Sequence, residues 1–393
     1  MDENLAALFL LDPEVTFLNH GSFGACPRPV FEAYQRWQLK LERQPVAFLD
    51  PNRGLSSWMR EARVALAGVV GAEADDLVGL TNATVGLNIV AQSLDLKPGD
   101  EILTTDHEYA ALEKTWAYVC RRSGAVVKVV TVPLPLTEEA QFTDALLAGM
   151  TDRTRVLFLS HITSATALVF PIERAVAEAR RRGIWTVIDG AHTPGQIPLN
   201  LTALDADFYA GNCHKWMMAP KGSAFLHVRR ELQGMMNPLV ISHGWTLEGR
   251  EGPFGGTPFV DMLEVQGTRD PSAWLTVPSA IDFARQHDWA KVAAECTQLV
   301  QGTAARVRAL TGLPGFSSPE FCAPQMVAMS VTACDPLVLQ RTLMAEYGIE
   351  IPCFKWQDHH IVRVSAQGYN SQAQMDRLVA ALTVLLPRLS VAA

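Results

Sequence analysis

The chain has 393 residues, of which 48% are hydrophobic and 19% charged, so it can bury a large core and is too apolar for a disordered protein. At roughly 150 residues per domain, this length predicts two to three domains. The formal net charge of −8 argues against nucleic acid as the main partner, because binding a phosphate backbone needs a basic surface. A small anion held in one local positive pocket is compatible with this charge.

Cysteine usage and the N-terminal residues indicate the compartment. The seven cysteines are scattered, and no pair has the CxxC spacing, which argues against a disulfide framework or a zinc site and favours a reducing compartment. The chain starts with acidic residues where a signal peptide would be basic, and no apolar stretch reaches the roughly 20 residues that a membrane-spanning helix needs. We therefore expect a cytoplasmic protein that does not contact membranes.

The pattern of apolar residues changes near residue 77. Before it, apolar positions 30, 31, 34 and 37 and then 58, 62, 64 and 66 predict two helices. After it, predicted strands alternate with predicted helices, which favours an α/β domain with a mainly parallel sheet. The strands are expected at residues 77–80, 101–105, 125–132, 155–160, 184–188, 207–210 and 223–228, and the helices at 84–94, 108–122 and 171–182.

The last third of the chain has a different pattern. A Pro- and Gly-rich stretch at residues 249–258 predicts a flexible loop, and residues 279–310 predict a long helical region. Strands are then expected at 326–331 and 361–364, and helices at 336–347 and 372–386. This pattern predicts a smaller α+β domain at the C-terminal end.

Polar residues follow five of the predicted strands directly. In an open α/β sheet, ligands bind at the carboxyl ends of the strands, so these residues are expected to share one crevice. A single such segment could be an ordinary turn, whereas five in succession indicate a binding site. The segments are residues 81–86 (TNATVG), 106–109 (DHEY), 160–164 (SHITS), 189–192 (DGAH) and 210–216 (AGNCHKW).

The residue types in these segments suit different parts of one cofactor. A lysine such as Lys215 can form an imine with an aldehyde, and an aspartate such as Asp189 can pair with a protonated pyridine nitrogen. Residues 82–84 at a helix start offer backbone N–H groups and a hydroxyl to a phosphate. An aromatic ring nearby could stack on the pyridine face.

Two of the segments carry a resemblance to a known family. Residues 189–192 (DGAH) and 212–216 (NCHKW), with 215 − 189 = 26 positions from aspartate to lysine, resemble the class V aminotransferase family of fold-type I pyridoxal 5′-phosphate (PLP) enzymes. The isopenicillin N epimerase-like branch is the most similar. Its resemblance extends from about residue 15 to 390 and rests further on residues 18–24 (LNHGSFG), 106–109 (DHEY), 267–274 (GTRDPSAW) and 363–367 (RVSAQ).

This resemblance implies an architecture. Its members have the fold-type I fold, a mainly parallel seven-stranded sheet with helices on both faces, plus a smaller α+β C-terminal domain. Residues 1–25 are then expected to form an N-terminal segment that contributes to the active site, residues 26–275 the large PLP-binding domain, and residues 276–393 the small domain. It also implies a homodimer with active sites at the interface and an amino-acid substrate.

The resemblance also implies roles for the strand-end residues. Lys215 would carry PLP as an imine and move the substrate Cα proton, helped by burial and nearby cations that lower a lysine pKa. Asp189 would pair with the pyridine nitrogen, and His192 would lie beside the ring hydroxyl or the lysine. Ser164 stands where relatives place a partner for the ring oxygen, often asparagine. Lys221, in a predicted turn, is the weaker lysine candidate.

The remaining cofactor contacts are expected from three regions. Tyr109 or His107 would stack on the ring, and the epimerase-like pattern favours Tyr109 whereas cysteine desulfurases use a histidine. Thr268 of the neighbouring subunit would close the phosphate site. The other phosphate contacts are expected from Ala83, Thr84, Asn212 and His214.

A substrate carboxylate would be bound by Arg363, because a guanidinium pairs with a carboxylate through two hydrogen bonds. Asn19, Gly21 and Ser22 are expected to line the same pocket. Ordinary alternatives stand beside these roles: a structural salt bridge for Arg363, and turn or loop positions for the others.

The reaction stays open at this stage. After removal of the Cα proton, the substrate could be epimerised or racemised, could lose a β-substituent from a cysteine conjugate or sulfoxide as in a C–S lyase, or could be transaminated. A second acid for epimerisation could be Tyr109, His107 or a residue of the 249–258 loop. Cys353 would be a buried inert thiol, which disfavours desulfurase chemistry. A binding or regulatory module without catalysis would be expected to lack Lys215 or Asp189.

Overall fold

The computed structural model describes residues 3–246 and 252–390. Its strands are β1 (Thr16–Phe17), β2 (Leu77–Leu80), β3 (Glu101–Thr105), β4 (Val126–Val130), β5 (Thr154–Ser160), β6 (Trp185–Gly190), β7 (Phe208–Asn212), β8 (Ala224–Val228), β9 (Met326–Val331), β10 (Ile349–Glu350), β11 (Cys353–Trp356) and β12 (His359–Ser365).

The helices are α1 (Glu3–Ala6), α2 (His20–Phe23), α3 (Arg28–Arg43), α4 (Pro45–Leu49), α5 (Leu55–Val70), α6 (Ala83–Ser93), α7 (Ala110–Ser123), α8 (Glu139–Gly149), α9 (Glu173–Arg181), α10 (Leu201–Leu204), α11 (Pro258–Glu264), α12 (Ser272–Leu275), α13 (Val277–Gln286), α14 (Trp289–Thr311), α15 (Pro336–Tyr347) and α16 (Gln372–Leu389).

Seven strands form the large sheet, in the order β2-β8-β7-β6-β5-β3-β4. Strand β8 runs antiparallel to both of its neighbours, and the pairs from β7 to β4 are parallel. This confirms the predicted mainly parallel seven-stranded sheet and the fold class. Because β3, β5, β6 and β7 run in the same direction, the segments that follow them meet at one edge.

Helices cover both faces of this sheet, so successive residues of a strand enter different cores. In β5, Val156 and Phe158 pack in one hydrophobic core, whereas Leu157 and Leu159 pack in the other. All four side chains are at most 1% exposed. Burial on both faces explains why the strands of this sheet have continuous apolar runs instead of alternating apolar and polar residues.

The C-terminal part has its own antiparallel sheet, in the order β11-β12-β9, against which α14 packs. The N-terminal segment joins this part, because β1 pairs in parallel with β10. The predicted domain limits at residues 25 and 275 are compatible with this arrangement and stay predictions.

Two regions differ from the sequence-based expectations. The helical region expected at 279–310 consists of α13 and α14, which are separated at Asp288, a residue with a left-handed φ of 45°. Helix α8 was not expected; a capping box between Glu138 and Gln141 starts it, and Phe142 and Leu146 lie on its buried face. Of the expected loop at 249–258, residues 249–251 lie outside the described residues. Within the described ranges, no helix is long and apolar enough to cross a membrane.

Candidate active site

A cavity of about 490 Å³ opens at the carboxyl ends of the large-sheet strands, where ligands bind in such folds. The structure brings twelve of the predicted site residues to this one cavity. They are Gly21, Ser22, Ala83, Thr84, Tyr109, Ser164, Asp189, His192, Asn212, His214, Lys215 and Arg363.

The Lys215 amine lies in a hydrogen-bond chain that indicates its protonation state. The Trp216 indole, which can only donate, lies 3.4 Å from His192 Nδ1, so this nitrogen accepts and the ring proton sits on Nε2. His192 Nε2 is 3.0 Å from Lys215 Nζ. The Nε2–H group therefore donates to the amine, which requires a neutral Lys215. Burial lowers the pKa of His192 far enough to keep the ring neutral.

Electrostatics favour the same neutral amine. The pKa of Lys215 is lowered to about 7, mainly by burial; the Asp189 carboxylate opposes this shift, and the nearby Arg363 guanidinium contributes to it. Burial dominates because removing a charged ammonium from water is costly. A lysine with this pKa can act as a nucleophile or a base near neutral pH.

This pKa leads to a testable pH dependence. A group whose pKa falls from 10.5 to about 7 is a free amine above pH 7, so in cofactor-free protein the labelling rate of Lys215 by a small aldehyde with borohydride should rise through about pH 7. The labelling rate of exposed lysines should rise only as the pH approaches their ordinary pKa of about 10.4. Peptide mass spectrometry measures both in one sample. Identical pH profiles for Lys215 and the exposed lysines would contradict the neutral amine.

Asp189 is a buried carboxylate at the end of β6. Its Oδ1 accepts a hydrogen bond from the Ala191 amide at 2.9 Å, and burial raises its pKa, opposed by that bond and by the charge of Lys215. The next residue must be glycine, because a Cβ at Gly190 would lie 2.1 Å from the Tyr209 ring. Among the described residues Asp189 forms no ion pair, so the carboxylate is available to a bound cation.

The N-terminus of α6 forms another wall of the cavity. Asn82 caps the helix by accepting from the Val85 amide at 2.9 Å, and the Ala83 amide donates to Asn212 Oδ1 at 2.8 Å. The Ala83 amide is thus already used, whereas the Thr84 amide has no acceptor within the part of the chain that the structure describes. His214 donates from Nδ1 to the Ser223 carbonyl at 3.1 Å, which leaves Nε2 free. These groups suit a phosphate.

Arg363 lies on β12 and is 5% exposed, but it pairs with no acid in the described ranges. Its guanidinium donates to the Ser164 carbonyl, to Ser164 Oγ at 3.1 Å and to Ser22 Oγ at 3.2 Å, while its buried Nε has no hydrogen-bond partner among the residues described. The alternative of a structural salt bridge therefore lacks a partner acid. A buried guanidinium held by neutral groups is suited to bind an incoming carboxylate. The Ser164 hydroxyl was expected to contact the ring oxygen of the cofactor. In the structure it contacts the Arg363 guanidinium instead.

The N-terminal segment completes the cavity around Lys215. Asn19 accepts from Ser22 Oγ at 2.5 Å and donates to Glu350 Oε1 at 3.1 Å, so it orients Ser22 from outside the cavity lining. Gly24 has a φ of 70°, and a Cβ there would lie 2.0 Å from the His214 carbonyl oxygen. This contact explains why residue 24 is glycine. It also brings the N-terminal segment against the loop that carries Lys215.

The structure places Tyr109, His107 and Thr268 in three different surroundings. Tyr109 lines the cavity, whereas His107 is fully buried, with its ring centroid 4.5 Å from Trp356 and its Nδ1 2.7 Å from Thr166 Oγ1. Burial lowers the pKa of His107 to about 4. Thr268 lies in a different cavity, of about 270 Å³.

Several residues at the site were missed. His20 is buried next to the backbone of Lys215, with its Nε2 3.0 Å from the Lys215 carbonyl and its Nδ1 3.0 Å from Tyr369 Oη. A histidine inside a conspicuous motif was the available signal. Phe23, which is 71% exposed, also lines the cavity, and so does Lys221, the weaker lysine candidate of the sequence.

The cavity fits PLP in its chemistry. It combines a neutral amine for the aldehyde at Lys215, a buried carboxylate without an ion-pair partner for the pyridinium at Asp189, and an unused amide at Thr84 for the phosphate. Tyr109 supplies an aromatic ring at the same cavity. The amine, the carboxylate and the backbone amide are polar groups that would be costly to bury without such a ligand.

Comparisons with known proteins identify the family. The sequence model described as Aminotransferase class-V matches residues 25–378. The chain is 38% identical to an isopenicillin N epimerase from Amycolatopsis lactamdurans, over 95% of this chain and 96% of that protein. It is 30% identical to a putative L-cysteine desulfhydrase from Oryza sativa, over 90% of this chain and 75% of that protein.

A solved structure shows the same fold. A cysteine desulfurase from Escherichia coli superposes with a TM-score of 0.82 at 23% identity, and 99% of each chain is covered. The match between the family model and most of the chain agrees with the lysine, aspartate and arginine found in one cavity. The chain therefore belongs to the class V aminotransferase family and is a PLP-dependent enzyme of fold type I.

Proposed function

We propose that the protein is an amino-acid epimerase or racemase that acts by exchanging the Cα proton of its substrate. The observation that carries this proposal is a neutral, buried Lys215 amine in the same cavity as an Arg363 guanidinium without an acidic partner. The Lys215 amine can remove the Cα proton, and the Arg363 guanidinium can bind the substrate carboxylate, which is attached to the same carbon. The relatives named isopenicillin N epimerase support this reading.

Each residue of the cavity has a part in this proposal. PLP, when bound, withdraws electrons from the substrate Cα and so makes its proton removable. Asp189 keeps a negative charge for the pyridinium, and Thr84, His214 and Asn212 hold the phosphate. Arg363 orients the substrate carboxylate, and Lys215 removes and returns the proton on one side of the carbon.

Epimerisation also needs a proton donor on the opposite face. Tyr109 is the candidate among the cavity residues, because its phenol can donate a proton and its side chain is 46% exposed toward solvent. The same ring would stack on the pyridine. His107, buried against Trp356, is less suited to either part.

Two competing reactions differ in what they require. Desulfuration through a persulfide needs a reactive cysteine, but Cys353 is 5% exposed and burial raises its pKa far above the ordinary value. The cavity lining contains no cysteine among the described residues. β-Elimination needs no extra residue, and the desulfhydrase relatives favour it as the second candidate. A C–S lyase therefore stays the main alternative.

One experiment separates these reactions. The holoenzyme is incubated in deuterated water with a panel of L-amino acids, cysteine conjugates and larger amino-acid derivatives, while Cα exchange, chirality, keto acid and thiol are measured. We expect Cα exchange with inversion and without keto acid for the true substrate. Keto acid released together with a thiol would contradict the epimerase and establish the lyase.

We also propose a homodimer in which each subunit completes the other's phosphate site through Thr268. The support is that Thr268 and Gly267 lie in a separate cavity of their own subunit, away from Thr84 and His214. In the family pattern a Gly-Thr pair reaches the neighbouring site.

Subunit mixing tests this arrangement. Lys215→Ala and Thr268→Val variants should each be weakly active alone. If Thr268 acts in the neighbouring site, a mixed dimer has one intact site and one doubly altered site, so mixing should restore activity. If it acts in its own subunit, every site carries one substitution, and mixing restores nothing. Light scattering gives the oligomeric state in parallel.

A further inference from the structure

Glu108 is a buried carboxyl group next to the cavity, and the proposed reaction does not use it. It is 8% exposed, and it forms no ion pair within residues 3–246 and 252–390. Its carboxyl accepts three hydrogen bonds, from Thr105 Oγ1 at 2.7 Å and from the Ser160 amide and hydroxyl at 2.8 and 2.6 Å. Three hydrogen-bond donors offset the cost of burying this carboxyl group, which would be high without them.

The position of this carboxyl corresponds to a gap in the sheet. Strands β3 and β5 pair only as far as Leu103 opposite Leu157, although β5 continues to Ser160. Beyond that pair, the Ser160 amide has no backbone partner on β3, and a buried amide needs an acceptor. Glu108 Oε2 is that acceptor. The carboxyl group therefore replaces sheet hydrogen bonds where the two strands separate.

The gap lies beside the residues assigned to the cofactor. Ser160 lines the cavity and is the register partner of Asp189 in the parallel pairing of β5 with β6. The His161 amide also donates to the Asp189 carbonyl at 2.9 Å. On the other side, Tyr109 directly follows Glu108 and is the N-cap residue of α7.

We propose that Glu108 is a positioning residue of the active site, which holds Ser160 across the gap between β3 and β5 and thereby keeps Asp189 and Tyr109 in place. This inference rests on the proposed cofactor contacts of Asp189 and Tyr109. The pKa of Glu108 is raised to about 7, mainly by burial; the three hydrogen bonds oppose this shift, and the charge of Asp189 contributes to it. The hydrogen bonds thus support the acceptor role.

Two substitutions separate this role from mere occupancy of space. Glu108→Ala removes the acceptor, and we expect it to weaken PLP binding by about tenfold or more and to alter the absorbance band of the bound cofactor. Glu108→Gln should restore affinity to within about threefold, because its amide oxygen can accept from Ser160 and its NH₂ can donate to Thr105 Oγ1. Glu113→Gln, an exposed position on α7, is the matched control and should change neither property.

A second readout needs neither cofactor nor turnover. In the cofactor-free protein, hydrogen–deuterium exchange of a peptide that contains Ser160 should be slow in the natural protein and in Glu108→Gln, and faster in Glu108→Ala. If Glu108→Ala does not fold, Ser160→Ala serves instead. It removes one of the two Ser160 donors and should weaken PLP binding by about threefold.

The outcomes are distinct. Unchanged PLP affinity, absorbance and exchange in Glu108→Ala would overturn the inference, as would equal losses in Glu108→Ala and Glu108→Gln, since the charge alone would then matter. If Ser160→Ala is used instead, a PLP affinity equal to that of the natural protein would overturn the inference. Failure of the proposed epimerase would appear separately, as normal PLP binding in the natural protein without inversion of any substrate.

Discussion

Lys215→Ala should abolish Cα-proton exchange, with a loss of at least about 10³-fold, because a general base alone contributes typically 10²–10⁴-fold. The substitution removes the amine that His192 and the burial of the site keep neutral. Proton nuclear magnetic resonance in deuterated water measures the exchange directly. Thermal unfolding should change little, since a lysine whose pKa is lowered on burial destabilises the folded state at neutral pH, and its removal offsets the lost packing.

The neighbouring lysine provides the control for this prediction. Lys221→Ala alters a lysine that lines the same cavity and should keep exchange within about tenfold of the natural protein. Added methylamine should restore part of the activity of Lys215→Ala. Exchange at the natural rate in Lys215→Ala, or its loss in Lys221→Ala alone, would show that Lys215 is not the base.

Asp189→Asn should lower turnover by about 10²–10³-fold, the usual cost of removing a preorganised electrostatic group. Asparagine has the same shape and can still accept from the Ala191 amide through Oδ1, so the substitution removes mainly the negative charge. Without that charge the pyridinium loses its partner and withdraws electrons less strongly. Turnover of the PLP-saturated variant and its PLP dissociation constant measure the two consequences separately.

The same substitution has an effect that needs no turnover. Because the Asp189 carboxylate raises the pKa of Lys215, its neutralisation should shift the labelling profile of Lys215 to lower pH. Turnover within about fivefold of the natural protein at PLP saturation, together with an unshifted labelling profile, would contradict the role of Asp189.

Much of the fold was predictable because the signals are local. Strands β2, β3 and β9 and helix α15 have the predicted bounds, since apolar runs and turn residues mark their ends. The rule that ligands bind at the carboxyl ends of parallel strands then placed Lys215 and Asp189 in one crevice. Helix α8 was missed, although Phe142 and Leu146 have the spacing of one helical face.

Several properties of the site depend on contacts between residues that are far apart in the chain. Tyr109 and His107 are two positions apart, and their sequence could not say which one enters the cavity. Packing against Trp356 and Phe170 buries His107. The Ser164 hydroxyl is occupied by Arg363, 199 positions away in the chain.

The family and the cofactor were predictable from the sequence, because the residues that follow the predicted strands resemble those of class V aminotransferases. The roles of the individual site residues stay predictions. The tertiary structure decided their electrostatic state. The pKa of Lys215 depends on burial, Asp189 and Arg363, whereas burial keeps His192 neutral and the Trp216 indole sets its tautomer. Tertiary structure also revealed Glu108, because the gap between β3 and β5 exists only once the strands are paired. Pairing, burial and distance are properties of the folded chain, and they set the charge of each group.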